Sequence, residues 1–125
     1  MINEDYVSFK IAKLLKEKGF DERCTHYYKN EKYLVDLGYS NIHSYTNSDL
    51  VEEFVAPTLQ MAMKWLREKY KLYVDVNFIE YQNNSKWCYK IVPMDESHIS
   101  YNNCTGDSYE QSCEEAIKYC LENLI

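Results

Sequence analysis

The strongest constraint in this chain is a change of period. Its residues 56–70 read Ala56-Pro57-Thr58-Leu59-Gln60-Met61-Ala62-Met63-Lys64-Trp65-Leu66-Arg67-Glu68-Lys69-Tyr70. Pro57 stands at a first helical position, and Leu59, Ala62, Met63, Leu66 and Tyr70 recur at helical spacing on one side. Directly afterwards Tyr73-Val74-Asp75-Val76-Asn77-Phe78-Ile79-Glu80-Tyr81 alternates. A change from a period of about 3.6 to about 2 within a few residues reads as a helix feeding a half-buried antiparallel strand. The class is therefore α+β.

The partner of that strand follows it. With Gln82-Asn83-Asn84-Ser85 as a four-residue loop, Tyr81 opposes Lys86, Glu80 opposes Trp87, Phe78 opposes Tyr89 and Val76 opposes Ile91. One face then carries Val74, Val76, Phe78, Trp87, Tyr89 and Ile91, and the other Asp75, Asn77 and Lys90. Near the start of the chain Val7, Ile11, Leu14 and Leu15 form the stripe of a first helix, from Tyr6 or Ser8 to Lys18. Gly19 is its C-terminal cap and Phe20 folds back onto the last turn. Cys24-Thr25-His26-Tyr27-Tyr28 and Lys32-Tyr33-Leu34-Val35-Asp36 read as a first hairpin around Asn30-Glu31, with Tyr28 opposite Tyr33 and His26 opposite Val35. Either face of this hairpin could be the buried one.

Residues 38–49 are rich in Ser, Asn and Thr and read as a long surface loop, followed at 50–55 by a short strand or helical turn. Pro93 ends the second hairpin, residues 98–101 offer one more strand, and Asn102-Asn103-Cys104-Thr105-Gly106-Asp107 is turn chemistry. Ser108 and Gln111 make a capping box for a last helix with Cys113, Ala116, Ile117, Cys120, Leu121 and Leu124 on its apolar stripe. The expectation is one α+β domain over residues 1–125, in the order α-β-β-α-β-β-α. An antiparallel sheet of about four or five strands is packed on one face by three helices. Its core includes Ile11, Leu14, Leu15, Leu59, Met63, Leu66, Val74, Val76, Phe78, Tyr89, Ile91, Ala116, Ile117, Cys120 and Leu121.

Charge narrows the function classes. The chain carries 14 basic and 20 acidic residues, a net of −6, whereas a nucleic-acid binder needs a basic stripe against phosphate. Lys10, Lys13, Lys16 and Lys18 gather on the polar side of the first helix and read as a solvated face, so no nucleic-acid partner is expected. The acidic start, Met1-Ile2-Asn3-Glu4-Asp5, is unlike a signal peptide, and no apolar run approaches the roughly 20 residues that cross a bilayer. A cytoplasmic setting without membrane association follows as the expectation. There the five cysteines, an odd number with no C-x-x-C pair, read as free thiols.

The residue types of three kinds of chemistry are present. Cys24 and His26 share a strand face, and Cys88, His98 and Cys104 could converge on them, but structural zinc sites draw on close ligand pairs. Neither a metal nor a cofactor is expected. His43, Ser44 and Asp49 supply the residue types of a nucleophilic triad, yet adjacent loop residues rarely converge on one point, and there is no G-x-S-x-G. The adjacent carboxylate pairs Glu52-Glu53, Asp95-Glu96 and Glu114-Glu115 diverge in regular structure, and three scattered glycines build no phosphate loop. No catalytic residue is assigned.

What remains is aromatic. Thirteen tyrosines are many for 125 residues, and tyrosine is favoured where proteins meet. Tyr27, Tyr28, Tyr33, Tyr39, His43 and Tyr45, in the first hairpin and the loop after it, form the candidate binding patch.

Three helical stretches carry a resemblance: Ala12-Lys13-Leu14-Leu15-Lys16-Glu17-Lys18-Gly19-Phe20, residues 56–68, and Glu114-Glu115-Ala116-Ile117-Lys118-Tyr119-Cys120-Leu121. They resemble a group of small uncharacterised proteins of phage, prophage and other mobile regions in gut Bacteroidetes. The resemblance implies a cytosolic accessory protein of a mobile element and brings no activity or ligand with it. The expected function is a non-enzymatic protein-binding module with an unidentified protein partner. The alternative is a small enzyme or ligand binder with a pocket where the 38–49 loop meets the aromatic hairpin. A homodimer through the first hairpin or the loop after it is expected as well, because a tyrosine-rich edge favours a closed pair.

Overall fold

Ser8 starts the first helix: its backbone is extended and its hydroxyl accepts from Ile11 N–H at 3.4 Å. The computed structural model describes residues 2–37, 44–82 and 84–125, and their contacts gather in two compact units, Met1–Thr58 and Leu59–Ile125. In the first unit, α1 (Phe9–Glu17) buries Ile11, Ala12 and Leu15 and leaves Leu14 half-buried. Gly19 ends it at φ +88, where a side chain would be strained. Gly19 N–H donates to Lys16 O (3.1 Å) and Phe20 N–H to Leu15 O (2.9 Å), the paired bonds of a Schellman cap. Phe20 is thereby buried, as its place after the glycine predicts.

The first unit also holds β1 (His26–Asn30), β2 (Tyr33–Asp36) and β3 (Phe54–Val55), in the order β2-β1-β3, with a 3-10 turn at Asn47–Asp49. The first hairpin has a different register from the expected one. Its pairs are His26 with Asp36, Tyr27 with Val35 and Tyr28 with Leu34, and then a slip brings Asn30 opposite Tyr33. Tyr28 and Tyr33 thus do not share a face. The extra residue of the slip moves Tyr33 to the side of Tyr27 and Val35. Pro57 does not open a helix: Val7 N–H donates to its carbonyl at 3.0 Å, and Thr58 bridges to Tyr6 in extended backbone.

In the second unit, α2 (Leu59–Tyr70) buries Leu59, Ala62, Met63, Trp65 and Leu66. Lys71, at φ 58, turns the chain into β4 (Leu72–Tyr81), which pairs with β5 (Asn84–Pro93), and β5 with β6 (Tyr101–Gly106). Then follows α3 (Tyr109–Tyr119), continued by a π-helical turn at Cys120–Leu124. Ser108 accepts from Gln111 N–H (3.0 Å), while the Gln111 side chain accepts from Asp107 N–H (3.0 Å), one residue earlier than a standard capping box. The described strands therefore form two three-stranded antiparallel sheets rather than one of four or five. Each hairpin acquires its own third strand, β3 in one unit and β6 in the other.

The hairpin β4–β5 keeps its expected faces and changes its register by two. Tyr81 pairs with Asn84, which sets Phe78 against Trp87, Val76 against Tyr89 and Val74 against Ile91. A shift of two preserves every side chain's face, and Gln82 at φ 49 shows the left-handed backbone that short hairpin loops use. Val74, Tyr89 and Ile91 are buried against the helices, but Val76 is half-buried and Phe78 is 51% exposed, so Phe78 is not a core residue. Length explains it. Ten-residue strands run about 33 Å, whereas the eleven residues of α3 cover about 16 Å, and the hairpin tip extends past its cover.

Residues 101–106 are a strand and not a turn. Their polar side chains suit an edge strand, and a disulfide joins Cys104 to Cys88 on the neighbouring strand. The five cysteines are thus not all free thiols. Cys24, Cys113 and Cys120 are, and all three are buried. Gly106 is required at the end of β6, because a Cβ there would lie 3.1 Å from Ser112 Cβ and 3.1 Å from Trp87 O.

Candidate interaction surface

Two sides of the β1–β2 hairpin have been put to different use. On one, Tyr28 donates its hydroxyl to Val7 O at 2.6 Å, and its ring stands edge-on to Phe9, with centroids 5.7 Å apart. Phe9 meets Phe54 of β3 in the same manner at 5.4 Å. His26 stacks on Tyr6, with centroids 3.9 Å apart. Its Nε2 lies 3.8 Å from Asp36 Oδ2, and its Nδ1 is 3.0 Å from Thr25 Oγ1. Burial raises the Tyr6 hydroxyl pKa, and the Asp36 and Glu4 charges add to it. These contacts fasten β1 to the segment that leads into α1. Tyr28 and His26 serve the packing of this side.

The other side carries the exposed tyrosines Tyr33 and Tyr45. Tyr27 and Tyr45 meet edge to face at 6.1 Å, and Tyr45 is held by paired backbone bonds with Cys24 of 2.9 and 3.0 Å. Tyr33, on the same side of β2 as Val35, is 63% exposed, and Tyr45 is 39% exposed. Leu34 points to the opposite side of β2 and is 38% exposed. Of the six candidate residues, the structure brings Tyr27 and Tyr45 together with Tyr33 on their side. It commits Tyr28 to the packed side, and Tyr39 and His43 lie outside the described residues.

The described part of the loop, from residue 44 onward, is tightly organised. Asn47, buried, donates from Nδ2 to Phe20 O (2.7 Å) and accepts at Oδ1 from Val55 N–H (3.0 Å). Ser48 donates its hydroxyl (2.6 Å) and its N–H (2.7 Å) to the two carboxylate oxygens of Asp21, which lowers the Asp21 pKa from its usual value. Thr46 donates its N–H (2.9 Å) and its hydroxyl (3.1 Å) to one carboxylate oxygen of Asp49, Oδ2, which lowers the Asp49 pKa as well. Ser44 O accepts from Arg23 at 3.4 Å, so Ser44 and Asp49 each belong to loop structure.

Lys16 was expected on a solvated face. It turns inward: its ammonium donates to Leu50 O (3.1 Å), Val51 O (3.2 Å) and Glu53 O (2.9 Å), and lies 5.5 Å from the Phe54 ring centre. No sequence signal distinguishes it from Lys10, Lys13 or Lys18. With Gly19, Phe20, Asp21, Asn47 and Ser48, Lys16 lines a cavity of about 290 Å³. Its polar lining is already engaged internally: three carbonyls on the ammonium, two backbone groups on Asn47, and Ser48 on Asp21.

Among the described residues, no three of His, Cys, Asp and Glu converge as metal ligands, and no helix is long and apolar enough to cross a membrane. Burial pushes the Cys24 and Cys120 thiols up to about 12, which keeps both protonated and poor as nucleophiles or ligands. No protein-family model, curated protein or solved structure matches the chain.

Proposed function

We propose that the chain is a non-enzymatic protein-binding module that receives its partner on the side of the β1–β2 hairpin that carries Tyr33 and Tyr45. The observation that carries this reading is Tyr33, 63% exposed on a strand that has β1 as its one strand partner among the described residues, on the side where Tyr27 and Tyr45 meet. The tyrosine rings would supply contact area to a partner at low entropic cost.

The resemblance of the helices to small mobile-element proteins fits an accessory role of this kind, as does the absence of a basic stripe that would suit nucleic acid. In the cytoplasm, the expected compartment, reductants would contest the Cys88–Cys104 bond. Mass spectrometry of alkylated protein from cells would report its state.

The test is quantitative capture from a lysate of the source cells, with wild type and a Tyr33→Ala/Tyr45→Ala variant side by side. Loss of about 2 kcal/mol of binding energy corresponds to a drop of more than tenfold in the captured partner. A partner captured equally by both proteins would overturn the assignment of this surface.

A further inference from the structure

Edge strands invite pairing, and this chain's edges are unequally protected. The edge strand β2 is four residues long beside a slip, and the edge strand β6 is six residues long, polar at Asn102, Asn103 and Thr105, and interrupted by a slip against β5. In contrast, β4 pairs with β5 through all ten of its residues without interruption and stands at the end of its sheet. Its other edge has no strand partner among the described residues along about 33 Å. Between Leu72 and Tyr81 there is neither a lysine nor a proline to discourage pairing. Tyr73 (41%) and Ile79 (46%) are exposed on the face away from the helices, and Phe78 on the helical face.

We propose that β4 is a self-association surface on which the β4 of a second copy pairs antiparallel about a two-fold axis at Val76. The order of residues selects a copy of this chain as the occupant. In such a pair, residues equally distant from the pivot oppose each other on the same face of the sheet. Tyr73 then meets Ile79 on the outer face and Val74 meets Phe78 on the helical face, each twice. Asp75 meets Asn77, and Glu80 meets Leu72, so no acid opposes an acid. Neighbouring pivots do worse. One at Asp75 sets the two aspartates against each other, and one at Asn77 sets Asp75 against Ile79 and Glu80 against Val74. The Val76 pairing also closes: it yields a six-stranded sheet whose outer edges are the polar, slipped β6 strands, so growth stops at two copies. The proposal uses none of the residues of the tyrosine patch, and its failure would leave the reading of that patch untouched.

Sedimentation velocity over concentrations of about 1 to 100 µM tests it, with affinity read from the dilution series. Wild type is expected to give a species of twice the 15.0 kDa chain mass that dissociates on dilution. A monomer throughout would overturn the proposal. A Tyr73→Glu/Ile79→Glu variant places glutamate against glutamate twice and is expected to associate at least about tenfold more weakly. Unchanged association would overturn the surface. A Tyr73→Lys/Ile79→Glu variant alters the same two exposed positions but sets lysine against glutamate, and it is expected to recover the dimer. Failure to recover, with a monomer melting temperature equal to that of the double-glutamate variant, would overturn the Val76 register.

Discussion

The two hairpins of this protein share a topology and differ in what holds their register. β4–β5 runs ten residues against ten without a slip, and its alternation assigns Val74, Val76, Phe78, Trp87, Tyr89 and Ile91 to one face. Displacing one strand by one residue would turn its three apolar residues away from those of the other, so hydrophobic burial alone opposes it. β1–β2 pairs five residues with four around a slip and carries tyrosine or leucine on both faces, so burial barely distinguishes its registers. Specific contacts hold it instead: the Tyr28 hydroxyl on Val7, Tyr6 over His26, and Tyr45 bridged to Cys24. A long alternating hairpin is specified by its pattern, and a short aromatic one by its surroundings.

The sharpest way to break this contrast is to separate the covered and uncovered ends of the long hairpin. Ile91→Ala, at a fully buried position, is expected to cost about 3–4 kcal/mol in urea unfolding, and Phe78→Ala at the exposed tip less than about 1 kcal/mol. Equal losses would mean that the helices cover the tip after all. Next in size is the disulfide, which closes a loop of 16 residues of separation. Cys104→Ser is expected to lower stability by about 2–3 kcal/mol. Amide exchange should rise along β6 and stay low in the buried half of β4–β5.

In the shorter-stranded unit, Asn47→Ala strands a buried carbonyl at Phe20 and a buried N–H at Val55, at an expected cost of about 1–2 kcal/mol by chemical denaturation. Acid acts there too. Hydrogen bonds from Ser48 hold the folded Asp21 pKa below the ordinary 3.8, so this contribution is complete above that value and is lost as pH falls through the lowered folded pKa. An NMR titration of the Asp21 carboxyl should show the depression and its reduction in Ser48→Ala. The smallest expected effect is in α3. The Ser112 hydroxyl is buried without a hydrogen-bond partner among the described residues, so Ser112→Ala should be neutral or stabilising by up to about 1 kcal/mol in thermal unfolding. A clear loss would reveal a partner for that hydroxyl.

Much of the fold was legible because its causes are local. Ser8, Gly19 and Ser108 act within one helical turn, and the apolar stripes of α1, α2 and α3 need no distant residue to be recognised. The misses share a different cause. Residues 102–106 have turn composition and form a strand because β5 offers them backbone partners and Cys88 a covalent one. Lys16 looks like its neighbours and becomes an anchor because three carbonyls of residues 50–53 converge on it. In the candidate site, tyrosine content singled out the first hairpin but could not sort Tyr28 from Tyr27, since both lie on one strand and only the packing of Phe9 and Val7 distinguishes its sides.

By itself the sequence determined periods and, in the long hairpin, faces: which segments are helical, which residues of β4 and β5 lie together, and that the class is α+β. Those properties follow from the geometry of the backbone, which each segment obeys regardless of its neighbours. Only the tertiary structure decided how strands pair across their loops, that six described strands divide into two sheets, which cysteines meet, and which edges are left without a partner. Each of these depends on bringing distant residues together, and the entropy of closing a loop changes too little with its length for sequence spacing to dictate the choice.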